Sequence, residues 1–386
     1  MSDQKDPRTV AATLGVGTDS AFGAVVPPLY LSSSFAFARF EMSRGYDYSR
    51  TANPTRDLLG GMLAKLEGGA GAVVTSSGMA AIDLVLATLT AADLVIAPHD
   101  CYGGTYRLLT ARAAKGQFKL LLIDQNDSVA LDGALKKAPA LVLLETPSNP
   151  LMRIVDIRAV AALAKAAGAK VAVDNTFLSP ALQQPISLGA DYVIHSTTKY
   201  LNGHSDVVGG AVIAADRKDA DTLASWANVT GVTGSPFDAY LTLRGVRSLF
   251  PRIERQQHTA GVVASNLRQQ KAVSAVYYPG LPSHPGYEIA KQQQSGFGAM
   301  LSFEIAGGID GVRKFVETTS IFTLAESLGG VESLVAHPAT MTHAGMSPDA
   351  RHVAGISDSL LRLSIGLESE ADLLEDIARG LDALGR

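Results

Sequence analysis

Asp191-Tyr192-Val193-Ile194-His195-Ser196-Thr197-Thr198-Lys199-Tyr200 is the stretch on which the reading of this chain turns. Four β-favouring residues, Tyr192 to His195, follow Gly189-Ala190, and the run then breaks into three hydroxyl residues and one lysine. A hydrophobic strand with that ending delivers hydrogen-bond donors and a single amine to the carboxyl edge of a sheet. That edge is where open α/β sheets bind ligands. A second strand, Val171-Ala172-Val173, ends just upstream in Asp174-Asn175-Thr176. The interval from Asp174 to Lys199 suits one crossover helix and strand, so both side chains are expected on the same rim.

An amine with a carboxylate partner, beside hydroxyls able to hold a phosphate, is the protein half of a pyridoxal 5'-phosphate site. Lys199 would carry the cofactor and Asp174 would keep its ring nitrogen protonated. Taken alone, a lysine at a strand end is more often a solvated charge, and an Asp after a strand more often a cap. The rest of the chain favours the cofactor.

With 386 residues the chain is long enough for two domains. The charged fraction is 18%, below the usual level of about 25%, which suits a surface partly buried in an oligomer. A net charge of −4 and no basic block give no footprint for nucleic acid. Met1 to Asp6 hold no apolar core of a signal peptide, and the apolar run from Ala80 to Ile96 is broken by Asp83 and Asp93. A cytoplasmic, membrane-free protein is expected. Cys101 is the single cysteine, which excludes an internal disulfide and a CxxC metal site. No metal is expected: His195, His204 and Asp206 lack ligand spacing and read better as hydrogen-bonding groups.

Residues 1–57 are Pro- and Ser-punctuated with few periodic apolar positions, as in an arm that packs on a neighbour. Within the arm, Tyr46 to Arg56 is dense in aromatic and charged groups, with Tyr48 and Arg50 as candidate phosphate ligands. Leu58, Leu59, Met62, Leu63 and Leu66 predict a helix closed by Gly68-Gly69. The turn Thr75-Ser76-Ser77-Gly78-Met79 opens a helix predicted from Ala80 to about Leu89, and a helix start of that kind binds anions. Alternating unbroken strands and helices then predict a mostly parallel sheet covered on both faces, in a large α/β domain over 58–251. From Arg252 the pattern becomes mixed and predicts a smaller α+β domain over 252–386. There Leu361, Leu363 and Ile365 alternate with Arg362, and Ser369 with Asp372 predicts a capped helix to Leu384.

Asp47-Tyr48-Ser49-Arg50, Asn53-Pro54-Thr55-Arg56, Ser77-Gly78-Met79, Tyr102-Gly103-Gly104-Thr105, Pro147-Ser148-Asn149-Pro150, Asp174-Asn175-Thr176, Ser196-Thr197-Thr198-Lys199-Tyr200, Ser205-Asp206 and Ser327-Leu328-Gly329-Gly330 converge on a family. Essentially end to end, the chain resembles the transsulfuration enzymes, the cystathionine synthase and lyase group of fold-type I pyridoxal-phosphate proteins. The resemblance implies that Lys199 holds the cofactor and shuttles protons, that Asp174 pairs with the ring nitrogen, and that Tyr102 stacks on the ring. Ser77, Gly78, Met79, Thr176, Ser196 and Thr198 would bind the cofactor from within one subunit, and Tyr48 and Arg50 from its neighbour. Arg362, helped by Asn149 and Ser327, would take the substrate carboxylate.

Further substrate contacts implied by the resemblance are Asp47, Tyr102, Arg107, Glu326 and Thr340. The activity implied is γ-replacement joining O-succinyl-L-homoserine to L-cysteine. γ-Elimination of cystathionine and addition of sulfide to an O-acylhomoserine are the rivals. Glu326 matches synthases and γ-lyases, whereas β-lyases carry a tyrosine there. Thr51 departs from the arginine expected there in the best-known bacterial synthase, and Arg107 could serve the distal end of the substrate instead. The assembly implied is a homotetramer of two site-sharing dimers.

Overall fold

The computed structural model describes residues 5–385. Its larger sheet is built from seven short strands: β1 (Gly71–Thr75), β2 (Leu94–Pro98), β3 (Lys119–Ile123), β4 (Leu141–Glu145), β5 (Lys170–Asp174), β6 (Tyr192–His195) and β7 (Gly210–Ala214). They lie in the order β1-β7-β6-β5-β4-β2-β3. Strand β7 is antiparallel to both neighbours, and the other pairings are parallel. The central strands are buried along their whole length, as expected of apolar runs covered on both faces.

Helices cover this sheet, several of them started by a side chain that satisfies orphan N–H groups. Asn53 accepts from Thr55 and Arg56, and Asp156 accepts from Ala159. The helix predicted from Ala80 begins two residues earlier and runs Gly78–Leu86, because Ser77 caps it through Ala80 N–H at 3.1 Å. Gly68 closes the helix Pro54–Glu67 with φ +75°, so the predicted glycine stop is observed. The arm is less irregular than expected, since Pro7–Thr13 forms a helix capped by Asp6.

A second sheet is assembled from β8 (Val273–Tyr277), β9 (Met300–Ile305), β10 (Thr323–Leu324), β11 (Leu334–Ala336) and β12 (Leu360–Ser364), in the order β10-β11-β12-β9-β8. All its pairings except β10 with β11 are antiparallel. Helix Leu249–Leu267 spans the expected domain join at 251/252 and buries Ile253, Ala260 and Val263 in a core that continues into the large-domain helix Pro54–Glu67. Ser369 occupies the N-cap of helix Glu370–Asp382, but its side chain makes no capping bond, so the predicted capping box is not formed.

Behind the carboxyl ends of β5 and β6 lies a buried polar knot. Glu67 Oε1 meets His195 Nε2 at 2.6 Å and accepts from Asn175 Nδ2 at 2.9 Å. The Asn175 amide also donates to the Gln183 carbonyl at 2.8 Å. One carboxylate therefore ties the residues that follow Asp174 and precede Ser196. Removing one member of a buried hydrogen-bonded cluster leaves its partners unsatisfied in a dry site. Glu67→Leu is expected to destabilise the protein by ~3 kcal/mol in urea unfolding. A change below ~1 kcal/mol would mean that the knot is not under load.

Candidate active site

Asp174 ends β5, Glu145 ends β4, and the Ser196–Tyr200 turn follows β6, so three adjacent strands deliver chemistry to one rim. The helix Gly78–Leu86 starts on the same rim, and Arg362 reaches it from β12 of the second sheet. Together they line a cavity of ≈ 390 Å³. Of the residues expected there, Ser77, Gly78, Met79, Tyr102, Asn149, Asp174, Thr176, Ser196, Thr198, Lys199, Glu326, Ser327 and Arg362 all line it.

The amine and the guanidinium carry the positive charge of this cavity. Lys199 Nζ donates to Ser327 Oγ at 2.7 Å. Burial, and then the charge of Arg362, lower the lysine from the usual range to about 8. Ser327 holds its place with φ +104°, a conformation that costs a non-glycine residue of order 1–3 kcal/mol and that clusters at functional sites. Gly329, at φ +77°, packs the same segment on Tyr200, where a Cβ would lie 2.8 Å from the Tyr200 nitrogen. Arg362 is 2% exposed; it donates from Nη1 to Asn149 Oδ1 at 3.0 Å and from Nη2 to the Ser327 carbonyl at 2.8 Å. Its Nε has no partner, and burial lowers the group to about 10. A buried guanidinium with a donor to spare and no carboxylate paired to it among the described residues is a receptor for an anion.

Carboxyl groups gather at the opposite wall. Asp174 Oδ1 accepts from Thr176 N–H at 3.0 Å, and burial raises its carboxyl despite that bond. Glu145 stands beside it in register on the neighbouring strand. It accepts from Tyr102 N–H and Asn149 N–H, each at 2.9 Å. Burial, and then the charge of Asp174, hold Glu145 well above the carboxylate range. Two carboxyls side by side with no cationic partner among the described residues suit a protonated ring nitrogen. At the third wall the first turn of helix Gly78–Leu86 offers free N–H groups to a phosphate. A Cβ on Gly78 would lie 2.7 Å from Ser196 Cβ, so only glycine lets that helix start meet the Ser196 turn. Pyridoxal phosphate fits this donor set. Thr198 Oγ1 is engaged with the Gly209 backbone, accepting at 3.0 Å and donating at 3.2 Å.

Other expected residues lie elsewhere. Asp47, Tyr48 and Arg50 sit on the exposed arm, where Arg50 Nη1 donates to the Asn228 carbonyl at 2.8 Å and to its Oδ1 at 2.6 Å. Arg107 is exposed on helix Gly103–Ala114 beside Gly345. Thr340 is exposed as well, its hydroxyl 2.8 Å from His337 Nδ1. None of these five lines the cavity of its own chain. Glu145, Phe177 and Thr342 line it without having been singled out. Glu145 was within reach of the argument used for Asp174, since Leu141-Val142-Leu143-Leu144 ends in a carboxylate too. Thr342 carries no local signal. His204 Nδ1 pairs with the Asn202 carbonyl and Asp206 accepts from the Asn202 amide, each at 2.8 Å.

Comparison with known proteins agrees with this geometry. The profile of the Cys/Met metabolism PLP-dependent enzymes matches residues 8–382. Cystathionine gamma-synthase of Escherichia coli K12 is 55% identical over 379 residues, covering 98% of each chain. Cystathionine gamma-lyase of Bacillus subtilis is 43% identical, covering 95% of this chain and 97% of its own. Among solved structures, cystathionine gamma synthase from Xanthomonas oryzae pv. oryzae in complex with cystathionine superposes with a TM-score of 0.98 at 57% identity, covering 99% of both chains.

The buried amine generates a prediction for the cofactor-free protein. A lysine whose folded value is depressed weakens the fold fully below that value, and the penalty disappears as pH rises towards the unfolded value. Lys199→Met should therefore stabilise the cofactor-free protein by ~2 kcal/mol near pH 7, and the gain should shrink between pH ~8 and ~10.5. Urea unfolding at several pH values measures it. A gain independent of pH would mean that the methionine merely packs better.

Proposed function

The chain belongs to the Cys/Met metabolism PLP-dependent enzyme family, and on that premise we propose that it is a cystathionine γ-synthase, joining O-succinyl-L-homoserine to L-cysteine with release of succinate. The observation that carries the reading is one cavity with a depressed lysine amine and a buried guanidinium whose Nε lacks a partner on one side and Asp174 on the other. The relationship to synthases over the full chain supports γ-replacement over the family's other reactions.

Bound here, pyridoxal phosphate supplies an electron-withdrawing ring that acidifies the substrate Cα–H and Cβ–H. The helix start at Gly78-Met79 and the Ser196 hydroxyl hold its phosphate, and the Asp174 carboxylate holds its ring nitrogen in the charged form. Tyr102, which lines the cavity, would cover the ring. Arg362 binds the substrate α-carboxylate, which fixes Cα within reach of Lys199. The lysine amine, neutral for an appreciable fraction of the time near neutral pH, takes the proton from Cα and later serves Cβ. Succinate then leaves Cγ with the bonding electrons, and the cysteine thiolate forms the new C–S bond there. Glu326 lines the same cavity and suits the amine of the incoming or departing cysteine moiety.

The arm gives the assembly its form in this proposal. Phe22 and Phe40 are 95% and 88% exposed in the single chain, and Val25, Leu31 and Phe37 are exposed with them. So large an apolar display on one segment is a protein–protein contact. Tyr48 and Arg50 would then complete the phosphate site of a neighbouring subunit, in a homotetramer of site-sharing dimers. No helix among the described residues is long and apolar enough to cross a membrane, which accords with a cytoplasmic location.

Two experiments test the reading. Purified protein is supplied with O-succinyl-L-homoserine and L-cysteine while cystathionine is followed, and in parallel with L-cystathionine alone while 2-oxobutanoate is followed. Faster synthesis is expected. Faster 2-oxobutanoate release would make the protein a γ-lyase, the reading favoured by its lyase relatives. Mixed dimers of Arg50→Ala and Lys199→Ala subunits should recover activity, about a quarter to a half of the native level, because one of the two sites is intact. Full inactivity in verified mixed dimers would refute shared sites.

A further inference from the structure

We propose that His343 is a positioning residue for the substrate-binding step: it fixes the carboxylate-binding Arg362 by holding the backbone of Asn149. The proposal rests on the reading of Arg362 given above.

Asn149 is gripped from three sides. Its N–H donates to Glu145 Oε1 at 2.9 Å, its side-chain Oδ1 accepts from Arg362 Nη1 at 3.0 Å, and its carbonyl lies 3.0 Å from His343 Nε2. A carbonyl can only accept, so Nε2 carries the proton and Nδ1 is the acceptor. The Thr342 hydroxyl, 2.9 Å from Nδ1, supplies the matching donor. The imidazole is fully buried. Burial, and then the charge of Arg362, lower it to about 4, so it stays neutral near neutral pH and keeps that single tautomer.

The consequence is a mechanical link. His343 belongs to the loop after Pro338 in the second domain, and Asn149 to the turn after β4 in the first. Thr342 of that loop lines the cavity itself. Arg362 has one hydrogen bond to each side, Asn149 Oδ1 from the first domain and the Ser327 carbonyl from the second. Its aim is thus set by how the two segments sit against each other, and the His343–Asn149 bond fixes that relation. Displacement of a binding group by about 1 Å is enough to cost large factors in a reaction that depends on orientation. Mere packing of a buried histidine predicts lost stability alone. A positioning role predicts lost affinity for the carboxylate.

The test uses the cofactor-loaded enzyme and three readouts: KM and kcat with O-succinyl-L-homoserine, the dissociation constant of glycine followed by the visible absorption of the cofactor, and the melting temperature. Glycine carries the amine and carboxylate but no leaving group, so it reports on the carboxylate subsite. His343→Leu fills the space without a donor and is expected to raise KM and the glycine constant together by on the order of tenfold, with kcat within about threefold. His343→Gln, which keeps an N–H near the position of Nε2, should return both to within about threefold of native. A lower melting temperature with unaltered glycine binding in His343→Leu, or a glutamine no better than leucine, would overturn the proposal.

Thr342→Val serves if the leucine variant does not fold. It keeps the imidazole but removes the donor that sets its tautomer, and it should weaken glycine by about threefold or more; native affinity would again overturn the proposal. Arg362→Met is the reference. Unchanged glycine binding in that variant would sink the reading of Arg362 as the carboxylate site, whereas a loss there without one in the His343 variants would sink only the present inference.

Discussion

The cavity is organised by charges that the protein buries and leaves unpaired. Asp174 and Glu145 stand together at one wall, and Lys199 and Arg362 at another, with no ion pair joining the two sets among the described residues. Pairing across the cavity would offset part of the cost of burying the amine and the guanidinium. The strand ends prevent it. Asp174 and Glu145 are fixed in register on neighbouring parallel strands, Arg362 is pinned by Asn149 and Ser327, and the lysine amine is tethered to the Ser327 hydroxyl. The electrostatic tension that remains is complementary to a ligand positive at one end and doubly anionic elsewhere, which is the pattern of a pyridinium phosphate with an amino acid beside it.

Two domains are needed because one sheet edge cannot present all four groups in this arrangement. The parallel sheet can gather carboxylates and the lysine turn at its carboxyl rim, since every forward-running strand ends there. The guanidinium must come from across the cavity, and β12 of the antiparallel sheet provides a rigid platform for it. Leu361 and Leu363 alternate with Arg362 along that strand, so the arginine emerges from the side opposite the apolar contacts. Its neighbours in register, Ser302 on β9 and Ala336 on β11, are small and leave room for the long side chain. The Glu67–His195 knot plays the corresponding part in the first domain, anchoring the ends of β5 and β6 from behind.

Much of this was legible in the chain. Strands such as Val171-Ala172-Val173 and Tyr192 to His195 are apolar on both faces, which parallel burial demands, and their polar endings mark the rim. Asp174 and Lys199 therefore announce themselves locally, whereas Tyr102 is placed by the resemblance. Glu326, Ser327 and Arg362 came from family resemblance, because nothing near them in sequence says that their loop and strand fold back over β6. Glu145 was missed although its strand obeys the same rule as that of Asp174. Thr342 and His343 were beyond reach: they enter the site through a loop tied by contacts nearly two hundred positions away, as with His343 and Asn149. Arg107 and Thr340, substrate contacts implied by the resemblance, do not line the cavity of the single chain. The Ser369 capping box is not formed, although Ser369 does occupy the N-cap of its helix.

The reversed strand β7 has a bearing on how the protein is assembled in time. Parallel strands such as β4 and β5 can pair only after a long crossover has been folded back, which makes their encounter slow. Strands β6 and β7 pair antiparallel, so the lysine turn is the connection of a local ribbon, closed at its far end by the Thr198–Gly209 hydrogen bonds. Its closure demands less chain entropy than any other part of the rim. The reactive lysine is thereby set on the shortest connection between paired strands of the large sheet. On a chain emerging from the ribosome, both strands of that ribbon are available to pair while the residues that form β12 are still unsynthesised.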